Sequence, residues 1–360
     1  MKIAIRTDAS AGIGSGHVMR CLTLSDALAE KGASVFFIAR ELRGNMNAYI
    51  EARGYQVSRL QGDNVSGGDE SFGVKVDAEQ TAAVVQKNPV EMLVVDHYAV
   101  DRVWERMLRG YVGKIMVIDD LADREHDCDL LLNQNYYGQV DFRYDGLVPV
   151  HCKQLLGTRY TLLRPEFAAA LPVLKPRTGK LEHILIFFGA TDSQNQTLKA
   201  LKAIRHIDRP EIEVDVIFGV NFPFKPLVLD FVAGMPEKVT CHEYVNNMAA
   251  MIAAADLYLG AAGTTTWERC CLGLPSVVIA VAANQIGPME RMDKAGIVRY
   301  LGESADVSVA DVAAALRELL TTPSDLAEMS RKGMELVDGR GIQRCVMEIF
   351  NDGDIDEDAI

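Results

Sequence analysis

The sequence predicts an α/β protein built as two doubly wound, Rossmann-like parallel-sheet domains. Three observations carry this reading. Short, near-continuous apolar runs alternate with amphipathic helical patterns, as in a parallel sheet covered on both faces. The alternation stops at a stretch rich in proline and basic residues, Leu171-Pro172-Val173-Leu174-Lys175-Pro176-Arg177, and then restarts. The chain, at 360 residues, exceeds the roughly 250 to 300 residues that one core usually organises.

In chain order, strands are expected at residues 2–5, 35–39, 92–95, 114–118 and 130–132, with helices at 18–31, 46–53, 78–87 and 103–108. Ser66-Gly67-Gly68-Asp69 interrupts the rhythm as a surface loop. Beyond the break, structured segments follow at 183–188, 213–218, 239–242, 248–255, 256–259, 264–271 and 276–280. Helices are expected from about 195 and near 286–294, 309–320, 326–337 and 342–350. The resulting division is a first domain at 1–170, a linker at 171–182 and a second domain at 183–338. A helix at 339–350 can return to the first domain, and 351–360 forms an acidic, solvated tail.

A net charge of −13 argues against general nucleic-acid binding, which leaves a basic footprint. No apolar run approaches the ~18 residues of a membrane span, and Arg6 and Asp8 interrupt the start where a signal peptide needs an apolar core. A cytoplasmic protein, monomeric or weakly self-associating and without a membrane partner, is therefore expected. Seven cysteines without a C-x-x-C pair read as reduced core thiols, and no metal site or cofactor is expected. Asp127-Cys128-Asp129 has D-x-D spacing but leads straight into a strand.

In doubly wound sheets ligands bind beyond the carboxyl ends of the strands, so the loops there carry the functional expectation. After the first strand comes Gly14-Ser15-Gly16-His17, running into a helix that carries Arg20. The glycines permit close backbone approach, and an imidazole at a helix mouth can take a proton from water. Asp96-His97-Tyr98 follows a later strand, with His97 read as structural and Tyr98 as the ligand contact. Asp119-Asp120 can orient a base or cap a helix. In the second half the loops are Gly189-Ala190-Thr191-Asp192, His242-Glu243-Tyr244-Val245, Gly260 to Thr266, and Ala282-Ala283-Asn284-Gln285. Polar residues and glycines thus gather at one edge of both sheets, and a cleft between the domains is expected. Ala262, Gly263, Thr264 and Thr265 open a helix whose free N–H groups suit a diphosphate, with Glu268 one turn in for a ribose diol. The glycines there also suit close strand-helix packing. Neither G-x-G-x-x-G nor a P-loop is present.

Three stretches together resemble a known family: Ile13-Gly14-Ser15-Gly16-His17-Val18-Met19-Arg20, Val95-Asp96-His97-Tyr98, and Gly263-Thr264-Thr265-Thr266-Trp267-Glu268-Arg269-Cys270-Cys271-Leu272-Gly273-Leu274-Pro275. They are similar to the UDP-sugar hydrolases of pseudaminic acid biosynthesis, as is residues 157–167. The resemblance implies a GT-B fold akin to the peptidoglycan N-acetylglucosaminyl transferase. It also implies UDP on the second domain, a substrate of the UDP-2,4-diacetamido-2,4,6-trideoxy-β-L-altropyranose type and a link to flagellin glycosylation. On this reading His17 is the base. Gly14, Ser15, Gly16, Arg20, Asp96, Tyr98, Asn284 and Gln285 contact the sugar side. Gly189, Ala190, Thr191, Val245, Ala262, Gly263, Thr264, Thr265 and Glu268 hold UDP. Ala190 and Ala262 stand where the family pattern has a second glycine, and their methyls are expected to tighten the cleft.

A nucleoside diphosphate leaves as a stabilised anion, so one base and a diphosphate cradle suffice where ordinary glycoside hydrolysis needs two carboxyl groups. The expected chemistry is water attack on the anomeric carbon, with inversion and C–O cleavage. A GT-B glycosyltransferase, a nucleotide-sugar sensor and a UDP-sugar 2-epimerase are the alternatives.

Overall fold

The computed structural model describes residues 1–10, 12–61, 73–138, 142–189, 191–219, 222–243, 245 and 247–351. The loop expected at 66–69, Ala190, Tyr244 and the tail at 352–360 lie outside the described residues. The chain divides into two compact units: residues 1–135, 139–162 and 340–360, and residues 136–138 and 163–339.

The first unit runs β1 (Lys2–Thr7), α1 (Gly16–Glu30), β2 (Ser34–Arg40), α2 (Asn47–Ala52), β3 (Gln56–Leu60), α3 (Val74–Lys87), β4 (Val90–Asp96), α4 (Arg102–Leu108), β5 (Val112–Ile118), β6 (Leu130–Asn133) and β7 (Lys153–Leu156). Its seven strands are parallel in the order β3-β2-β1-β4-β5-β6-β7. Side chains alternate across the sheet, and both faces are dry. Ile3, Ile5, Met92, Val94, Met116 and Ile118 join one core with Val18, Leu22 and Leu28 of α1. Ala4, Leu93, Val95, Ile115 and Val117 join the other, with Ala78, Val85, Trp104 and Leu108 of α3 and α4.

The second unit runs α5 (Pro165–Ala170), β8 (His183–Phe187), α6 (Gln196–Ile207), β9 (Glu213–Ile217), α7 (Lys225–Ala233), β10 (Lys238–His242), α8 (Met248–Ala254), β11 (Leu257–Ala261), α9 (Thr265–Cys271), β12 (Ser276–Ala280), α10 (Ala283–Lys294), β13 (Arg299–Glu303), α11 (Val309–Thr321) and α12 (Pro323–Leu336). Its six parallel strands are ordered β10-β9-β8-β11-β12-β13. The last helix, α13 (Gly341–Phe350), belongs to the first unit, where Ile342, Cys345, Val346 and Ile349 pack into the core beside α1.

Residues 163–170, placed in the first domain from sequence, pack with the second unit. Phe167 is fully buried there with Leu163, Trp267 and Cys271. The stretch 171–182, read as a linker, also lies against the second unit. Leu171 and Leu174 pack on that core, and the Arg177 guanidinium donates to the carbonyls of Ile252 and Leu272, at 2.8 and 3.4 Å, and of Ala255. Its prolines and charges suggested solvent, but the charge caps the buried ends of neighbouring elements. Strands β3, β7 and β13, absent from the sequence reading, are sheet edges whose polar residues hide the apolar run.

In each sheet the strand order reverses once, at β1/β4 and at β8/β11, and loops diverge there to leave a crevice. The loops after β1 and β4 carry Gly14 to His17 and His97-Tyr98. Those after β8 and β11 carry Gly189 to Asp192 and Ala262 to Thr264.

Candidate active site

At the reversal point of the first sheet, the β1–α1 loop turns on Ser10. Its hydroxyl accepts from the amides of Gly12 and Ile13, at 3.1 and 3.0 Å, and its carbonyl accepts from Gly14 at 2.9 Å. Gly14 sits at φ +83°, a conformation a side chain would strain. Helix α1 then starts without a side-chain cap, and the amides of Gly16, His17 and Val18 make no backbone hydrogen bond among the described residues.

His17, in the first turn, places Nδ1 at 2.6 Å from Oδ1 of Asp96, the last residue of β4. A carboxylate accepts only, so Nδ1 carries the proton and donates. The lone pair of the neutral ring therefore lies on Nε2, which has no hydrogen-bond partner among the described residues. Tyr98 packs edge-on against the imidazole, with ring centroids 4.5 Å apart and planes at 83°.

Behind this pair lies Arg20, one turn along α1. Its Nε donates to Asp96 Oδ2 and its Nη2 to Asp96 Oδ1, both at 2.6 Å. Its Nη1 donates to both oxygens of Asp120, at 2.8 and 3.1 Å. Asp120 also accepts from the Tyr98 hydroxyl, 2.6 Å, and from Asn135 Nδ2, 2.7 Å. Burial works to raise the Asp96 pKa, but the Arg20 guanidinium and His17 hold its carboxyl well below the usual carboxylate range. Burial and then Asp120 push the Tyr98 hydroxyl up, so it stays protonated.

His97 faces away from this group. Its Nε2 lies 3.2 Å from Asp8, its Nδ1 accepts from Ala99 N at 3.1 Å, and burial lowers its pKa. Asp119 likewise holds its own loop, accepting from the amides of Leu121 and Ala122 and from the Tyr144 hydroxyl.

In the second unit, Gly189 (φ +89°) and the exposed Thr191 follow β8. Next to them, the buried carboxylate of Asp192 accepts from Gln196 N and Thr197 N, at 2.9 and 2.8 Å, which ties the loop to the start of α6. Within β11, Gly260 serves packing, because a Cβ there would collide with the Phe187 carbonyl and the Tyr258 hydroxyl. Gly263 faces open space instead. The amides of Gly263, Thr264 and Thr265 make no hydrogen bond among the described residues, whereas Thr266 and Trp267 donate back to Gly263 and Thr264. Arg269 braces this turn by donating to Thr265 O and Thr266 Oγ1 while lying 3.9 Å over the Tyr258 ring. Glu268 accepts from Arg164 through Oε1 at 3.2 Å, and its buried Oε2 has no partner among the described residues. Burial raises the Glu268 pKa, opposed by Arg164.

Several expected site residues take different positions. The polar atoms of Arg20, Asp96 and Tyr98 are turned on one another and on Asp120, because the two carboxylates offset the cost of burying the Arg20 guanidinium. Gln285 closes its own loop by accepting from Val281 N at 2.9 Å, while Asn284 is exposed in the first turn of α10. The Ala262 methyl is buried in the core of the second unit, because the strand alternation turns it inward, so it does not narrow an open space. Val245 packs partly against the same core. Asn135 is legible in sequence only as part of the loop Asn133-Gln134-Asn135 after a strand, and Arg164 only within the resembling stretch 157–167; neither has a motif that assigns it a role.

Residues 183–340 match the glycosyltransferase family 28 C-terminal domain. Over 97% of its length the chain superposes on 99% of the MurG structure from Acinetobacter baumannii, with TM-score 0.69 and 15% identity. The calicheamicin glycosyltransferase CalG4 superposes with TM-score 0.65 and 14% identity over 97% of each chain. The chain has the GT-B fold. Among sequence relatives, it is 30% identical over 200 residues to the UDP-2,4-diacetamido-2,4,6-trideoxy-beta-L-altropyranose hydrolase of Campylobacter jejuni, which is 55% of this chain and 64% of that enzyme. It is also 21% identical over 349 residues, 96% of each chain, to the spore coat polysaccharide biosynthesis protein SpsG of Bacillus subtilis. The match to the Campylobacter enzyme spans less than two thirds of that protein. Among the described residues, no helix is long and apolar enough to cross a membrane, and no three His, Cys, Asp or Glu side chains cluster for a metal ion.

Proposed function

We propose that the chain is a hydrolase that releases UDP from a UDP-amino sugar of the UDP-2,4-diacetamido-2,4,6-trideoxy-β-L-altropyranose class. The observation that carries the reading is the His17–Asp96 pair, with Nδ1–H given to the carboxylate and Nε2 left as a base. The Campylobacter relative, similar over just over half of this chain, supports the substrate class.

In the mechanism, His17 Nε2 takes a proton from a water molecule as that water attacks the anomeric carbon. Asp96 fixes the tautomer and stabilises the imidazolium that forms, the role a buried carboxylate plays behind a histidine base. The anomeric C–O bond breaks with inversion, and UDP departs carrying the electron pair. The amides of Gly263, Thr264 and Thr265 donate to the diphosphate, and Glu268 Oε2 accepts from the ribose hydroxyls. Gly189 and Thr191 contribute to the same nucleotide site.

A transferase reading draws on the family 28 match and the likeness to MurG. It uses the same base on an acceptor hydroxyl. The experiment incubates the protein with a panel of UDP-amino sugars in ¹⁸O-water and follows UDP, anomeric configuration and label by NMR and mass spectrometry. UDP release without an acceptor, with label on the sugar, supports the hydrolase. Label in UDP refutes anomeric attack, and release only when a hydroxyl acceptor is added favours the transferase.

A further inference from the structure

We propose that Asp120 is a positioning residue that tunes the basicity of His17 through Arg20; the proposal rests on the reading of His17 as the base. The argument is one of charge. The groups facing His17 are Arg20 and Cys21 from its own helix, Asp96 and Tyr98 from the end of β4, and Asp120, reached through Arg20, from the end of β5. Cys21 donates to Asp96 at 3.4 Å, and burial followed by Asp96 keeps its thiol protonated. Tyr98 is neutral as well, its hydroxyl given to Asp120.

Three charges remain beside the ring: Arg20, Asp96 and Asp120. Arg20 Nη2 lies 3.3 Å from His17 Nδ1, close enough for an unbalanced guanidinium to oppose a positive imidazole strongly. Asp96 alone cancels that cation. Asp120 supplies a second carboxylate on Arg20, so the guanidinium beside the ring is countered from both sides and opposes an imidazolium less. The Asp120 carboxylate is 13% exposed, so solvent screens it weakly. Asn135 and Tyr98 donate to it, and Arg143 donates to its main-chain carbonyl, which fixes it against Arg20. Asp119 beside it is occupied by Arg124, 3.0 Å away, and by Tyr144, and does not reach Arg20.

The test titrates His17 by NMR in histidine-labelled full-length protein, with the signal assigned from its loss in His17→Gln. In Asp120→Asn the amide keeps the shape and removes the charge. The titration midpoint is expected to fall by about half a pH unit or more, a threefold or larger change in the protonation constant. The acid limb of kcat for UDP release moves the same way, and Asp120→Glu restores both. Asp120→Ser, which also removes the charge, is expected to lower the midpoint likewise and keeps the idea testable if Asp120→Asn does not fold. A midpoint unchanged within about 0.2 unit in a folded Asp120→Asn or Asp120→Ser overturns the proposal. Because the NMR titration needs no substrate, its outcome is independent of UDP release. Absence of release from every UDP-sugar refutes the functional reading alone.

Discussion

Replacing Asp96 with Asn removes one negative charge and, by geometry, breaks the site whichever way the amide turns. The carboxylate accepts from His17 Nδ1 and Arg20 Nη2 at Oδ1, and from Arg20 Nε and Cys21 at Oδ2, with the three nitrogen contacts at 2.6 Å. An NH₂ group at the Oδ2 position meets Arg20 Nε donor to donor. At the Oδ1 position it meets Arg20 Nη2 and forces His17 Nδ1 to accept, which moves the proton to Nε2 and removes the base. Breaking a buried ion pair costs about 3–5 kcal/mol, and the lower end applies because Asp120 keeps its hold on Arg20. Loss of a correctly oriented base costs about 10²- to 10⁴-fold in rate. The assay pairs steady-state UDP release with ¹⁵N NMR of the His17 ring and a urea titration. An Asp96→Asn protein with wild-type kcat and an unprotonated Nε2 would refute the reasoning.

Further outcomes are expected. His17→Asn lowers kcat by about 10²- to 10⁴-fold while calorimetry shows UDP affinity unchanged, because the base makes no contact with the leaving group. Glu268→Ala weakens UDP binding by about 10- to 100-fold in the same calorimetry, the value of a buried acceptor lost to the ribose. Acid affects the two units differently. Asp8, Asp77 and Asp96 in the first unit have pKa values lowered by arginine neighbours that outweigh burial, so their stabilisation is present above about pH 4 and is lost as pH falls below it. Asp192 and Glu268 in the second are raised by burial, so protonation on acidification relieves rather than costs. Hydrogen exchange followed by mass spectrometry at pH 3.5 and pH 6 should therefore show protection lost from the first sheet before the second. Equal loss in both would contradict the assignment.

The parallel sheets were legible because buried strands such as Met92 to Val95 and Val277 to Ile279 are continuous apolar runs, and such runs need two covered faces. The edge strands β3, β7 and β13 were not, since a strand such as β3 reads Gln-Val-Ser-Arg-Leu and only its last residue is fully buried. The His17 loop stood out by its glycines and its place after a strand. Asp96 and Asp120 stood out as loop residues after strands, but their meeting around Arg20 did not, because Asp96, Asp120 and Asn135 are far apart in sequence and meet only through the strand order β1-β4-β5-β6. The unit boundary was missed for a related reason. Prolines and lysines at 171–180 mark solvent exposure on average, yet Phe167 and Arg177 anchor that stretch to one side.

The return of α13 also orders events during synthesis. Ile342, Cys345, Val346 and Ile349 complete the core that α1 begins, so the nascent first unit cannot close while the ribosome is still making the second. Val18, Leu22 and their neighbours wait through some 180 further residues with part of their apolar stripe uncovered, the interval in which a holding chaperone has something to bind. Emergence of α13, rather than completion of the first sheet, is the moment at which the core behind His17 is completed.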